Sequence, residues 1–231
     1  MFPFDLMYTV DICIFCKAVS SIEHVKTYNA MEVKHKNGNI IIEGPISSSE
    51  LAKLDFHEAL VAFRPPAQQH KALIEIAELP EGRILIARDQ NEIVGYATYL
   101  YPDPLERWSE GQLENLIELG AIEIIPKFRG GGVGKSLLQV SMMDDAMEDY
   151  IILTTEYYWH WDLKGTKLNV WEYRKIMEKM MSAGGLKYYA TDDPEICSHP
   201  ANCLMARIGS RIDQNSIQKF DSLRFTNRFM Y

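Results

Sequence analysis

The stretch LIELGAIEIIPKFRGGGVGKS, residues 116–136, decides the fold. It opens as an apolar run fit for a buried strand, Leu116 to Pro126, and then turns through a cluster of glycines. Beyond them a helix is expected to about Glu148, with Val133, Leu137, Val140, Met143 and Met147 on one stripe. Glycines let backbone N–H groups crowd around an anion with no Cβ in the way. A helix N-terminus adds unpaired donors and roughly half a positive charge. Lys127, Arg129 and Lys135 add formal charge to the same segment. Such a loop suits a pyrophosphate.

Two familiar pyrophosphate loops fit badly. A nucleotide-triphosphate loop reads G-x-x-x-x-G-K-S/T. Gly134-Lys135-Ser136 supplies its end, but Arg129 stands where its first glycine belongs, and several strands precede it. No apolar strand here ends in a convincing metal-binding aspartate. A dinucleotide fold needs G-x-G-x-x-G with an acidic residue ~20 positions on. Neither spacing nor chain position agrees.

Outward from the loop, strand and helix signals alternate. Asn39–Glu43 is a short β-branched run, and Ser47-x-x-Glu50 fits a capping box opening a helix to about Phe63. Pro65-Pro66 breaks it, and a second helix runs over 67–79. Residues 83–88 and 92–101 read as an antiparallel hairpin around Asp89-Gln90-Asn91. After the loop come a strand over 151–155, a helix over 168–182 with Val170, Tyr173, Met177 and Met181 on one side, a strand over 186–190 and a mostly helical tail. The order predicts an α/β domain with a mixed, partly antiparallel central sheet flanked by helices. One domain spans 31–231. Residues 1–30 form an extension whose structure the residues do not fix: an arm, an added strand, or an overlong start ahead of Met31.

Composition bounds the function classes. The chain has 231 residues, 47% hydrophobic, 24% charged, with net charge −8. That is the profile of one globular domain, and the acidity argues against nucleic acid as a partner. Cys13-x-x-Cys16 has no second pair or His pair at zinc spacing, and His160-x-Asp162 is too short a constellation to bind metal, so no metal is expected. Sparse cysteine fits a reducing compartment. Asp5 and Asp11 interrupt the apolar start, which lacks a basic n-region, and no run approaches the ~18 apolar residues of a membrane span. A cytoplasmic protein with no membrane partner is expected.

Ile122-Glu123-Ile124-Ile125-Pro126 followed by Arg129-x-x-Gly132-x-Gly134 resembles the acetyl-CoA-binding motif of the GNAT superfamily of N-acetyltransferases. The resemblance implies that backbone groups of Ile122 and Ile124 hold the pantetheine arm. It also implies that Arg129, Gly130, Gly131, Gly132, Val133, Gly134 and Lys135 form the pyrophosphate loop. A wider set of stretches, EGPIS, FRPPAQQH, YLYPDPLERW, NLIELGAIEIIP, TTEYYWHWDLKG, VWEYRKIMEKM and SHPANCLMARIG, resembles the AcuA family of acetoin-utilisation proteins from about Tyr28 to the C-terminus. That likeness implies a protein lysine acetyltransferase acting on acetyl-CoA synthetase. Residues 1–24 match nothing in it.

The chemistry narrows the catalytic candidates. Lysine acetylation needs a neutral amine, and deprotonation at pH 7 costs roughly 4–5 kcal/mol for a reference pKa near 10.4. A base or a desolvating pocket must supply that, and backbone donors must meet the oxyanion. Glu118 and Glu123 are the candidate bases. Five residues apart on an ideal strand they face opposite ways, unless Gly120 marks a bulge; either glutamate could equally be a solvated or salt-bridged strand residue. Tyr157, Tyr158 and Tyr173 are candidate acids, although Tyr173 in an apolar stripe also reads as core. The run Tyr157–Trp161 reads as a substrate wall or as core, and Lys164, Lys167 and Asn169 as surface. Trp108, Trp159 and Trp161 mark an expected partner interface. Three readings stand at this point: a protein lysine acetyltransferase, a small-amine acetyltransferase, and a non-catalytic acyl-CoA-binding regulator. Homo-oligomerisation is left open.

Overall fold

The computed structural model describes residues 22–226. Among these residues nine strands form a single sheet in the order β1-β2-β4-β5-β6-β7-β9-β8, with β3 pairing β5 off this path. The strands are β1 (Asn29–His35), β2 (Gly38–Gly44), β3 (Asp55–Phe56), β4 (Arg83–Asp89), β5 (Glu92–Leu100), β6 (Leu116–Ile124), β7 (Ile151–Glu156), β8 (Lys187–Tyr189) and β9 (Cys203–Ile208). Helices are α1 (Ser48–Leu51), α2 (Pro66–Glu78), α3 (Arg107–Glu110), α4 (Val133–Ser141), α5 (Leu163–Thr166), α6 (Val170–Met181), α7 (Pro194–Cys197) and α8 (Gln214–Arg224). The sheet is mixed as expected. Only β6–β7 and β3–β5 pair parallel.

The apolar run of β6 makes it a central strand, antiparallel to β5 on one side and parallel to β7 on the other. The β6–α4–β7 crossover is the unit expected from residues 116–155. Leu137, Leu138 and Val140 of α4 are buried against one sheet face. The opposite face splits into two halves. Leu51, Leu60 and Leu73 cover its N-terminal half, while Trp108, Ile196, Phe220 and Leu223 close a second cluster over Leu116, Ile151, Leu153 and Leu204.

Several expectations change. The helix from Ser47 stops at Leu51, although Ser47 caps it by accepting from the Glu50 amide. Asp55 and Phe56 leave to pair with β5, and the following loop is held by other contacts described below. α4 ends at Ser141 rather than Glu148, followed by a 3₁₀ turn capped by Asp144, and Met143 is half exposed while the rest of its stripe is buried. The tail is not mostly helical, because Cys203–Ile208 inserts as β9 between β7 and β8. Its residues (CLMARI) are largely helix formers, and two flanking strands override that preference.

β1 adds an edge strand whose seven residues alternate half-buried and exposed. It begins inside the expected N-terminal extension. Residues just before it join the same body: the Thr27 amide donates to Asp144, Arg83 donates to the Val25 carbonyl at 2.7 Å, and His24 shares a hydrogen bond with the Tyr150 hydroxyl. Cys13 and Cys16 lie outside the described residues, while Cys197 and Cys203 are free thiols.

Candidate active site

The site starts from a mismatch between β6 and β7. They pair over only three rungs, Leu116–Ile151, Ile117–Ile152 and Glu118–Leu153. Beyond these, β6 runs on to Ile124 and β7 to Glu156, so the strands splay and leave a slot in the sheet. At strand rise, the unpaired part of β6 is roughly 20 Å long.

Both glutamates open on one face at this slot. Opposite β5, Leu119 meets Tyr99 and Ala121 meets Thr98, so Gly120 is the extra residue of a bulge. The bulge reverses the side-chain alternation. Glu118 opposite Leu100 and Glu123 opposite Tyr96 therefore share the face turned away from α4.

Their surroundings differ. Glu123 is 6% exposed and fully engaged. Its Oε1 accepts from the amides of Val61 and Ala62, each at 2.8 Å, and its Oε2 accepts from the Tyr96 hydroxyl at 2.8 Å. Those two amides belong to the segment expected to be helical. Glu118 sits where the strands part, and burial pushes its carboxyl up to about 8, with Glu106 and Asp103 adding repulsion. Glu106 is itself raised, by burial and then by Asp103, Glu195 and Asp193. Like charges around a partly desolvated carboxyl favour its proton.

The glycine loop lies at the open end of the slot. Gly130 and Gly132 take positive φ, 80° and 87°, and Gly132 caps α4. The first helical amide bonded back is Ser136, to the Gly132 carbonyl at 2.9 Å, which leaves Val133, Gly134 and Lys135 with amides lacking a helical acceptor. A Cβ on Gly131 would strike the His35 ring at 1.8 Å, and one on Gly134 would meet Met180 Sδ at 2.6 Å. The glycines therefore serve both backbone conformation and close approach. The Arg129 side chain points elsewhere: its Nε donates to the Ile124 carbonyl at 2.8 Å and its Nη1 pairs with Asp162 at 2.7 Å. It thus ties the loop after β6 to the segment after β7, and it occupies the Ile124 carbonyl.

That segment divides into buried and exposed aromatics. Trp161 is 8% exposed, donates its Nε1–H to Glu156 at 2.9 Å and stacks on Tyr173 of α6 at 5.2 Å. Burial raises the Glu156 carboxyl to about 7 and holds the Tyr173 phenol above its usual range. Trp108 is buried in the second core cluster. Neither tryptophan can face a partner, which corrects that expectation; of the three, Trp159 alone is half exposed, and it packs on Tyr158, which His199 joins to the equally exposed Trp171. Glu156, the Val61 and Ala62 amides, and the β1–β2 turn beside the loop were not read from the sequence. Asn37 of that turn donates to the Lys127 carbonyl, and His35 rests edge-on against Phe128 at 5.3 Å. Among the described residues no group of three or more His, Cys, Asp or Glu could hold a metal, and no helix is long and apolar enough to cross a membrane.

A splayed parallel pair, a glycine loop at its mouth and a carboxylate at its apex therefore meet in one region, and comparison with known proteins places the chain in a family. The acetyltransferase (GNAT) family model matches residues 53–160. The acetoin utilization protein AcuA of Bacillus licheniformis is 70% identical over 91% of this chain and 100% of its own length, and that of Bacillus subtilis is 67% identical over the same shares. The crystal structure of an acetoin utilization protein from Exiguobacterium sibiricum superposes with a TM-score of 0.88 at 59% identity, covering 90% of this chain and 98% of that one. A GNAT acetyltransferase from Streptococcus pneumoniae shares the fold at 13% identity and a TM-score of 0.50. The chain belongs to the AcuA family of acetoin utilization proteins and is an N-acetyltransferase of the GNAT superfamily.

Proposed function

We propose that the protein transfers an acetyl group from acetyl-CoA to a lysine on another protein in the cytoplasm, with Glu118 as general base and acetyl-CoA synthetase as acceptor. The observation that carries the reading is the position of Glu118 at the last rung of the β6–β7 pairing, where the slot begins. Acetyl-CoA supplies an activated thioester. The free amides of Val133, Gly134 and Lys135 and the glycine contacts beside them fit a pyrophosphate at the α4 N-terminus. A pantetheine arm then follows the unpaired edge of β6 into the slot.

Glu118 takes the proton of the incoming ammonium, and the freed amine attacks the thioester carbon. The C–N bond forms, the C–S bond breaks and Tyr173 gives its phenolic proton to the departing sulfur; the second proton shed by the new amide nitrogen restores the Tyr173 phenol through solvent, and Glu118 loses its proton to bulk water. A carboxyl near 8 is matched to that duty around neutral pH. Tyr173 belongs to α6, on the α4 face, so acceptor and leaving thiol work from opposite faces of the slot. Glu123 does a different job: two of its hydrogen bonds hold the 57–65 loop as one wall of the acceptor side, and the third fixes its carboxylate to Tyr96 of β5. Asp103, Glu106 and Glu118 give that side an acidic character suited to a cationic acceptor.

The acceptor assignment rests on similarity to the AcuA proteins and on the exposed aromatic group at Trp159 and Trp171. Incubation with labelled acetyl-CoA, acetyl-CoA synthetase, spermidine and an aminoglycoside in parallel tests it. One dominant acetyl-lysine on the synthetase is expected. Rapid acetylation of a small amine with an unmodified synthetase would replace this reading.

A further inference from the structure

The β1–β2 turn brings a basic tripeptide to the glycine loop. Lys34, His35 and Lys36 line an open cavity of about 240 Å³ together with Arg129, Gly130 and Gly131. The turn is docked there, not merely near. Asn37 Nδ2 donates to the Lys127 carbonyl, His35 lies edge-on to Phe128, and the His35 ring fits only because residue 131 lacks a Cβ. Lys34 and Lys36 are exposed, and neither has an ion-pair partner among the described residues. Arg129, by contrast, is already paired with Asp162. The cavity's uncommitted charge is therefore that of the two lysines.

We infer that this cavity is a second anion subsite, built by the β1–β2 turn, which takes the 3′-phosphate of coenzyme A. The inference rests on the acetyl-CoA reading above. The glycine run has two ends. At one, the α4 amides of Val133–Lys135 suit the pyrophosphate; at the other, Gly130 and Gly131 border the lysine cavity. A ligand with two anionic groups joined through a ribose engages both ends. The outer group is a phosphate monoester carrying ≈ −1.5 to −2 charge at pH 7, and lysines bind such a group as point charges. The turn thereby selects coenzyme A over its 3′-dephospho form.

Calorimetry of the full chain with coenzyme A and with 3′-dephospho-coenzyme A, at low salt, tests the subsite without any turnover. The wild type should prefer coenzyme A by about tenfold, in line with one or two screened charge contacts. In Lys34→Ala/Lys36→Ala the two ligands should bind within about twofold of each other, the dephospho form as in wild type, and the salt dependence of coenzyme A binding should flatten. Equal affinities in the wild type, an unchanged preference in the variant, or equal weakening of both ligands would each overturn the assignment. The last outcome would give the lysines to the pyrophosphate instead. A wild type that binds neither ligand would overturn the acetyl-CoA reading itself.

Discussion

Glu118 and Glu123 project from the same face of β6, five positions apart, because Gly120 bulges out of register with β5. One strand thereby carries two carboxylates in different surroundings. Glu123 is spent on three hydrogen bonds, while Glu118 has burial and like charge around it and stands at the apex of the slot.

The division predicts how Glu123 responds to substitution. Glu123→Gln keeps an acceptor for the Val61 and Ala62 amides and should retain turnover within about threefold, since geometry is preserved. Glu123→Ala strands two amides and the Tyr96 hydroxyl, and should destabilise the fold by about 2–4 kcal/mol. Hydrogen exchange at Val61 and Ala62, with denaturant melts, would register both effects. Turnover lost in Glu123→Gln with normal amide protection would assign the base to Glu123.

The loop makes a second prediction. Gly132→Ala meets no neighbouring atom but must hold φ near +87°, whereas Gly134→Val drives a branched side chain into Met180 and Ile124. Backbone strain of ~1–2 kcal/mol should weaken coenzyme A binding about tenfold in the first. The second should weaken it further and perturb α6. Unchanged affinity in both would remove the loop from the cofactor site.

Stability should depend on pH with a defined sign. A glutamate whose folded pKa lies near 8 binds a proton in the native state that the unfolded chain, with a value near 4.5, has released between those limits. Native stability therefore falls as pH rises through that window. Glu156, raised to about 7, adds to the same slope. Glu118→Gln should be more stable than wild type at pH 8.5 or so, with the advantage shrinking towards pH 5. Thermal melts across the range would reveal a parallel pair of curves if Glu118 titrates normally.

The proposed protein acceptor predicts a role for exposed rings. Trp159 and Trp171 are about half exposed and linked through Tyr158 and His199. Replacing both by alanine should raise KM for acetyl-CoA synthetase about tenfold, a typical hot-spot loss, and leave a short lysine peptide unaffected. A uniform effect on both acceptors would mean that the rings support the site rather than a partner.

The sequence carried the heart of this arrangement because local and global signals agree there. The apolar run 116–125, the glycines after it and the first half of the apolar stripe each demand one structure, and all three appear, with α4 ending at Ser141. Gly120 was even legible as a possible parity break. What stayed hidden depends on distant partners. The capping box at Ser47 is real, yet the chain leaves the helix after Leu51 because β5 and Glu123 compete for its backbone. β9 has helix-forming residues, and β1 is an edge strand that alternates half-buried and exposed but carries few β-branched or aromatic residues. The lysines of the β1–β2 turn reach the loop across 90 or so positions of chain, a proximity that only pairing with β2 and β4 creates.

Single-turnover acetyl transfer by wild type and Glu118→Gln, with acetyl-CoA affinity measured on the same preparations, tests the central claim most directly. The wild-type rate should rise with pH and level off above about 8, where Glu118 becomes a carboxylate. Glu118→Gln should bind acetyl-CoA as tightly but transfer about 10²–10⁴-fold more slowly, and it should lose that plateau, its rate climbing with the free amine. A variant with the wild-type rate and the wild-type pH profile would contradict the account.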